Sequence, residues 1–191
     1  LRPLGLRLSL LTSLTNAYLG KENPTRVETS FYGDLAQYAK WMTPPIAAGI
    51  AAEFALDKAP SDAEHFLSDT GIELVNREVD NNKHYGEAMS IDLFVGGNLI
   101  YKAGARGTIT ENNLMISRLN DFDQLYLEPS GHHLFVEYKD ATGIIGKIAS
   151  ILGANSINII DIRAPQDLER NSSLAVIKTN VAVPADLIGK I

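Results

Sequence analysis

Two glycines and an aspartate mark the stretch from Tyr138 to Asn158, YKDATGIIGKIASILGANSIN. Asp140 follows a strand-like run, and Gly143 and Gly146 lie just before a run with helical spacing. The free N–H groups at the start of a helix carry partial positive charge and bind anions. A carboxylate beside them can pair with a cation. The pattern therefore predicts a turn that binds a small ligand carrying both charges.

Two other interpretations of this turn are open at the level of sequence. In the first interpretation, the glycines belong to a dinucleotide-binding pattern, and Asp161, 18 residues after Gly143, would hold a ribose hydroxyl. The full G-x-G-x-x-G motif is absent, which weakens that hypothesis. Alternatively, the glycines only permit a tight turn and close packing of helix on sheet. In that case Asp140 is a helix cap and Asn158 a turn residue.

Composition limits the classes of protein that the chain can belong to. The 191 residues suffice for one large domain or two small ones, and 45% of them are hydrophobic. No apolar run reaches the roughly 18 residues of a membrane span, so no membrane partner is predicted. The absence of cysteine excludes disulfides and thiolate chemistry and is compatible with the cytoplasm. The net charge of −6 argues against a nucleic-acid partner.

The charge is unevenly distributed and suggests a domain boundary near residue 130. Residues 131–191 contain six acidic and six basic side chains, so the whole net charge of −6 lies in residues 1–130. The pattern of the first region is mixed α and β. It predicts helices over 3–19, 43–57 and 61–69, the last with a capping box, strands over 25–32 and 71–79, a hairpin around 96–98, and one or two strands over 112–129.

The second region has a clearer pattern of strand, helix, strand, strand and helix. The predicted elements are a strand over 132–139, a helix over 143–156, strands over 157–164 and 172–181 with a polar loop over 165–171 between them, and a helix from 184 onwards. One more strand would complete the βαββαβ plan of a ferredoxin-like module. The fold class expected for the whole chain is therefore α+β.

The segment EYKDATGIIGKIASILGANSINI resembles the first strand, loop and helix of an ACT domain. The matching positions are Asp140, Gly143, Gly146, Lys147, Leu152 and the triplet 157–159. Ala141-Thr142 stands where the common pattern has Arg-Pro. The wider context, EPSGHHL before this strand and TRVETSFYGDLA upstream, resembles type I D-3-phosphoglycerate dehydrogenases.

This resemblance implies three segments and a regulatory role. Residues 1–20 would be a helix leaving an upstream domain, 21–130 an intervening, allosteric-substrate-binding domain with a mixed sheet, and 131–191 the ACT domain. The parent protein would be an NAD-dependent oxidoreductase of L-serine biosynthesis. No cofactor is expected to bind this chain itself.

The resemblance also implies a ligand and an assembly. L-serine, or another small amino acid, would bind between paired ACT domains of a homodimer or tetramer and exert feedback control. The implied ligand-binding residues are Tyr138, Asp140 and Gly143 of one subunit and Asn158 of its partner. Two alternatives are the regulatory chain of an L-serine dehydratase and a free-standing ACT-type sensor. The dehydratase resembles this chain less, because its S-S-S-H-T signature is absent.

No active site is predicted within the chain. Its four histidines are scattered, and successive residues of a strand point to opposite faces, so His132 and His133 cannot easily share a metal ion. We expect a structural role for them and no metal site. The basic residues of the first region, which we interpret as solvated surface charge rather than as an effector site, are Arg77, Lys83, Lys102, Arg106 and Arg118.

Overall fold

The computed structural model describes residues 2–167 and 169–191. Leu1 of the predicted opening segment and Leu168 of the predicted polar loop lie outside the described residues. The chain divides into two compact units, residues 1–120 and 121–191. Among the described residues, no helix combines the length and the apolar character needed to cross a bilayer.

The first sheet is mixed and has six strands. Its order is β2-β1-β3-β4-β5-β6, with β1 parallel to β2 and antiparallel to β3. The strands are β1 (Arg26–Phe31), β2 (Glu73–Asn76), β3 (Ala88–Val95), β4 (Ile100–Thr110), β5 (Asn113–Leu119) and β6 (Phe122–Leu127). The helices are α1 (Arg2–Ala17), α2 (Thr43–Ile50) and α3 (Pro60–Asp69), with 3-10 helices at Gly33–Trp41 and Asn81–Lys83.

Helices α1 and α2 pack closely because small residues face each other. Leu8 and Leu11 of α1 are fully buried, as the helical spacing predicts. Thr12 is also buried and donates its hydroxyl hydrogen to the Leu8 carbonyl at 2.8 Å. A Cβ at Gly49 of α2 would lie 2.4 Å from the Cβ of Thr12, so only glycine fits there.

The second unit is built on a four-stranded sheet with a helix over one face. Its core contains Leu134, Ile148, Leu152 and Ile177. The strand order is β7-β10-β8, and the short β9 also pairs with β10. β7, β8 and β9 each run antiparallel to β10. The elements are β7 (His132–Lys139), α4 (Ile144–Ala154), β8 (Ile159–Arg163), β9 (Gln166–Asp167), β10 (Ser172–Thr179) and α5 (Ala185–Ile188). The predicted α+β fold with two separate sheets is confirmed.

Two local predictions for the first unit were wrong, and one element was not predicted. The helix predicted over 43–57 ends at Ile50, where the chain becomes extended and places Phe54 against Phe66, with 5.0 Å between ring centroids. No capping box starts α3, because Pro60 presets the first helical φ and Ala59 makes no side-chain cap. The 3-10 helix after β1 was missed, since short turns of this kind have no apolar periodicity.

Candidate functional site: the turn between β7 and α4

The turn between β7 and α4 leaves backbone donors without acceptors. The Ile144 N–H lies 3.5 Å from the Ala141 carbonyl, and the Lys147 N–H donates to the Gly143 carbonyl at 3.0 Å. Between them, the N–H groups of Ile145 and Gly146 have no acceptor within residues 2–167 and 169–191. No side chain caps α4. Two N–H groups at the positive end of the helix dipole are therefore available to an anion.

The two positions of the turn, Gly143 and Gly146, are occupied by glycine for different structural reasons. Gly143 has φ +89°, a left-handed conformation that other residues adopt only with strain. Gly146 has ordinary helical geometry, and a Cβ at either position would meet no atom within 4 Å. Close helix–sheet packing therefore does not explain these glycines. What Gly146 provides is open access to the first turn of α4, which suits a ligand that approaches the backbone.

The Asp140 carboxylate is held in place by two side chains that the sequence analysis missed. Ser173 donates to one carboxylate oxygen at 3.2 Å, and the Gln166 amide donates to the other at 3.1 Å. Ser173 is fully buried. The Asp140 N–H donates to the Asn171 carbonyl at 3.2 Å. Asp140 is thus a fixed acceptor beside α4, and the interpretation of this residue as a helix cap was wrong.

Strand pairing brings these side chains together. Ser173 of β10 lies opposite Tyr138 of β7 on one side and opposite Gln166 of β9 on the other. The Tyr138 side chain is partly buried and packs against the core of the second unit. No motif marks Gln166 or Ser173, because their position depends on the register between strands far apart in sequence.

The electrostatics of Asp140 favour a cationic partner. Both of its hydrogen-bond donors are neutral, and no cation within the described part of the chain forms an ion pair with it. An ammonium group placed next to it would form a charge-assisted hydrogen bond.

Asn158 lies at the other end of the same sheet. Its N–H donates to the side-chain oxygen of Asn180 at 2.8 Å, and its side chain is exposed. The register places the start of β8 beside Thr179, whereas Lys139 lies beside Ser172. At about 3.3 Å per residue, those two ends of β10 are roughly 23 Å apart. Within one chain, Tyr138, Asp140 and Gly143 therefore lie at one end of this sheet and Asn158 lies at the other.

The two adjacent histidines have different environments. His132 is exposed, whereas His133 is half-buried and its Nε2 has no hydrogen-bond partner in the part of the chain that the structure describes. Burial lowers the pKa of His133, and the positive charge of Lys178 lowers it further, against smaller upward effects of Asp161 and Glu128. No group of three or more potential metal ligands occurs among the residues that the structure describes.

Two basic residues of the first unit, Arg77 and Arg118, form ion pairs with the buried Asp92. Asp92, only 6% exposed, accepts from Arg118 at 2.8 Å and from Arg77, which also pairs with Glu28 at 3.2 Å. Burial lowers the pKa of Arg118, but the Asp92 carboxylate raises it and the net shift is upward. Arg106 is 8% exposed. The interpretation of Arg106 and Arg118 as solvated surface charge was therefore wrong.

Comparison with known proteins gives a distant similarity to one class of enzyme. No family model matches the chain. A D-3-phosphoglycerate dehydrogenase from Synechocystis sp. is 22% identical over 172 residues, which cover 87% of this chain and 30% of that protein. A D-3-phosphoglycerate dehydrogenase from Archaeoglobus fulgidus is 27% identical over 89 residues, 47% of this chain and 16% of that protein. The chain thus spans less than a third of either relative.

Proposed function

We propose that this chain is a regulatory segment of an NAD-dependent D-3-phosphoglycerate dehydrogenase of L-serine biosynthesis. Its second unit binds a small amino acid, L-serine, and does not transform it. One observation carries the proposal: the same turn contains two N–H groups, at Ile145 and Gly146, that have no acceptor among the described residues, and a carboxylate, Asp140, that two side chains hold in position. The distant similarity to two D-3-phosphoglycerate dehydrogenases supports the choice of parent enzyme.

The chemistry of the turn complements an amino-acid zwitterion. The carboxylate of the ligand accepts from the N–H groups of Ile145 and Gly146, helped by the helix dipole. Its ammonium group donates to Asp140, which Ser173 and Gln166 already hold in position. The ligand therefore meets preorganised partners, which reduces the entropy cost of binding.

A second copy of the chain would complete the site. Asn158 lies far from Asp140 along the sheet, so it serves the ligand only when a partner subunit presents it. Its amide can both donate to and accept from the ligand. In this scheme the ligand binds between two ACT-like units of a homodimer. The dimer links ligand binding to the activity of an NAD-binding catalytic part elsewhere in the parent protein.

Calorimetric titration of the full chain with L-serine and glycine tests this function. Asp140→Asn keeps the size of the side chain and removes its charge, so the ammonium of the ligand loses a charge-assisted contact. Such contacts contribute about 1.5–3 kcal/mol, so binding should weaken roughly 10- to 100-fold. Glu137→Gln, which neutralises an exposed carboxylate on the opposite face of β7, is the matched control and should bind normally. Absence of heat from a dimeric wild-type sample would refute the proposal.

A further inference from the structure

The outer edge of β2 carries backbone groups without partners. Glu73 N–H donates to the Thr25 carbonyl at 3.0 Å, and Arg77 N–H donates to the Thr29 carbonyl at 2.8 Å. In a strand, the N–H and C=O groups of one residue point to one side, and those of the next residue point to the other side. Those of Leu74 and Asn76 point away from β1, and within residues 2–167 and 169–191 neither N–H has an acceptor.

The space beside this edge is open. A cavity of about 460 Å³ extends along β2 and is lined by Leu67 and Ser68 of α3, by Gly71, and by Glu73 and Leu74. Leu67 is buried at the base of this cavity. Proteins normally cover or blunt a strand edge of this kind, because it pairs readily with another strand.

The strand is complementary to itself. Glu73 and Arg77 carry opposite charges and stand at equal distances from Val75. A second β2 running antiparallel about a two-fold axis at Val75 would set Glu73 opposite the partner's Arg77. Opposite charges directly across an antiparallel pair are stabilising. Glu73 is 58% exposed and pairs with Arg26. Arg77 is 39% exposed and already pairs with Glu28 and Asp92 of its own copy, so the partner's Glu73 would add a third carboxylate to this existing group of ion pairs.

We propose that two copies of this chain join through antiparallel pairing of β2 with β2. In this register Leu74 lies opposite the partner's Asn76, and the reverse holds by symmetry. All the outward N–H and C=O groups of Leu74 and Asn76 then form hydrogen bonds between the copies. The interface is isologous, with the same patch on both subunits. It is independent of the amino-acid site proposed for the second unit.

A single cysteine tests the register, because the chain has none of its own. Val75 would face the partner's Val75 in a non-hydrogen-bonded pair, in which the Cα atoms are about 4.5 Å apart. That separation allows a disulfide. Mild oxidation of the full-length Val75→Cys variant at micromolar concentration should give a covalent dimer. Ser68→Cys, an exposed position on the α3 wall, is the control and should remain monomeric in denaturing gels.

A proline tests the backbone pairing. Leu74→Pro removes one outward N–H from each copy without removing a hydrogen bond to β1, and far-UV circular dichroism verifies that the variant is folded. With two intermolecular hydrogen bonds lost, cross-linking of Leu74→Pro/Val75→Cys should require at least about tenfold more protein. No covalent dimer from Val75→Cys would overturn the proposal. Equal cross-linking by Ser68→Cys, or by a folded proline variant, would overturn it as well.

Discussion

Gly143 and Gly146 form a matched pair that tests the geometry of the turn, because alanine at each should shift stability in opposite directions. At Gly143 the Cβ has open space, but φ +89° disfavours any side chain. The left-handed conformation costs a non-glycine residue about 1–2 kcal/mol. At Gly146 the backbone is helical and space is equally open. Alanine there should stabilise the helix by about 0.5–1 kcal/mol.

Thermal unfolding followed by circular dichroism measures both effects. For a chain of this size, 1 kcal/mol shifts Tm by roughly 2–4 °C. Gly143→Ala should therefore lower Tm by about 2–8 °C, and Gly146→Ala should raise it by about 1–4 °C. A methyl group at Gly146 would also stand beside the free N–H groups and weaken L-serine binding. Equal shifts of the same sign in the two variants would refute the account of the turn.

Three further changes probe other parts of the chain. Because folding lowers the pKa of His133, the stability that its neutral side chain contributes is fully present above about pH 6.5 and declines below it. His133→Gln should therefore reduce the loss of Tm between pH 7.5 and 5.5, whereas His132→Gln should not. Gly49→Ala forces a Cβ to within 2.4 Å of Thr12 and should cost about 1–3 kcal/mol in urea unfolding; an unchanged midpoint would contradict the α1–α2 packing. Gln166→Ala releases one oxygen of Asp140 and should weaken L-serine binding severalfold by calorimetry; unaltered affinity would exclude Gln166 from the site.

The second unit follows its sequence closely because local signals agree with the tertiary structure there. Alternating residues predict β7, and the glycine turn and apolar stripe predict α4 to within two residues at each end. The helix predicted over 43–57 was too long, because apolar spacing alone does not show that the helix ends at Ile50 and that Phe54 lies outside it against Phe66. Tertiary contacts of this kind override local propensity.

The candidate site was only partly predictable. Asp140 and Gly143 stand in one local pattern, so sequence spacing identifies them. Ser173 and Gln166 belong to the site only because β10 pairs with both β7 and β9 in one particular register. Likewise, only the sheet topology shows that Asn158 lies at the opposite end from Asp140. Long-range register is the information that a single sequence lacks.

Amide chemical shifts of the ¹⁵N-labelled chain during titration with L-serine test the central claim most directly. The account predicts saturable shifts centred on the amides of Ile145 and Gly146, since these donors have no acceptor among residues 2–167 and 169–191. Asp140→Asn should shift the midpoint to at least about tenfold higher serine concentration. Shifts confined to other regions, or none at millimolar L-serine, would contradict amino-acid binding at this turn.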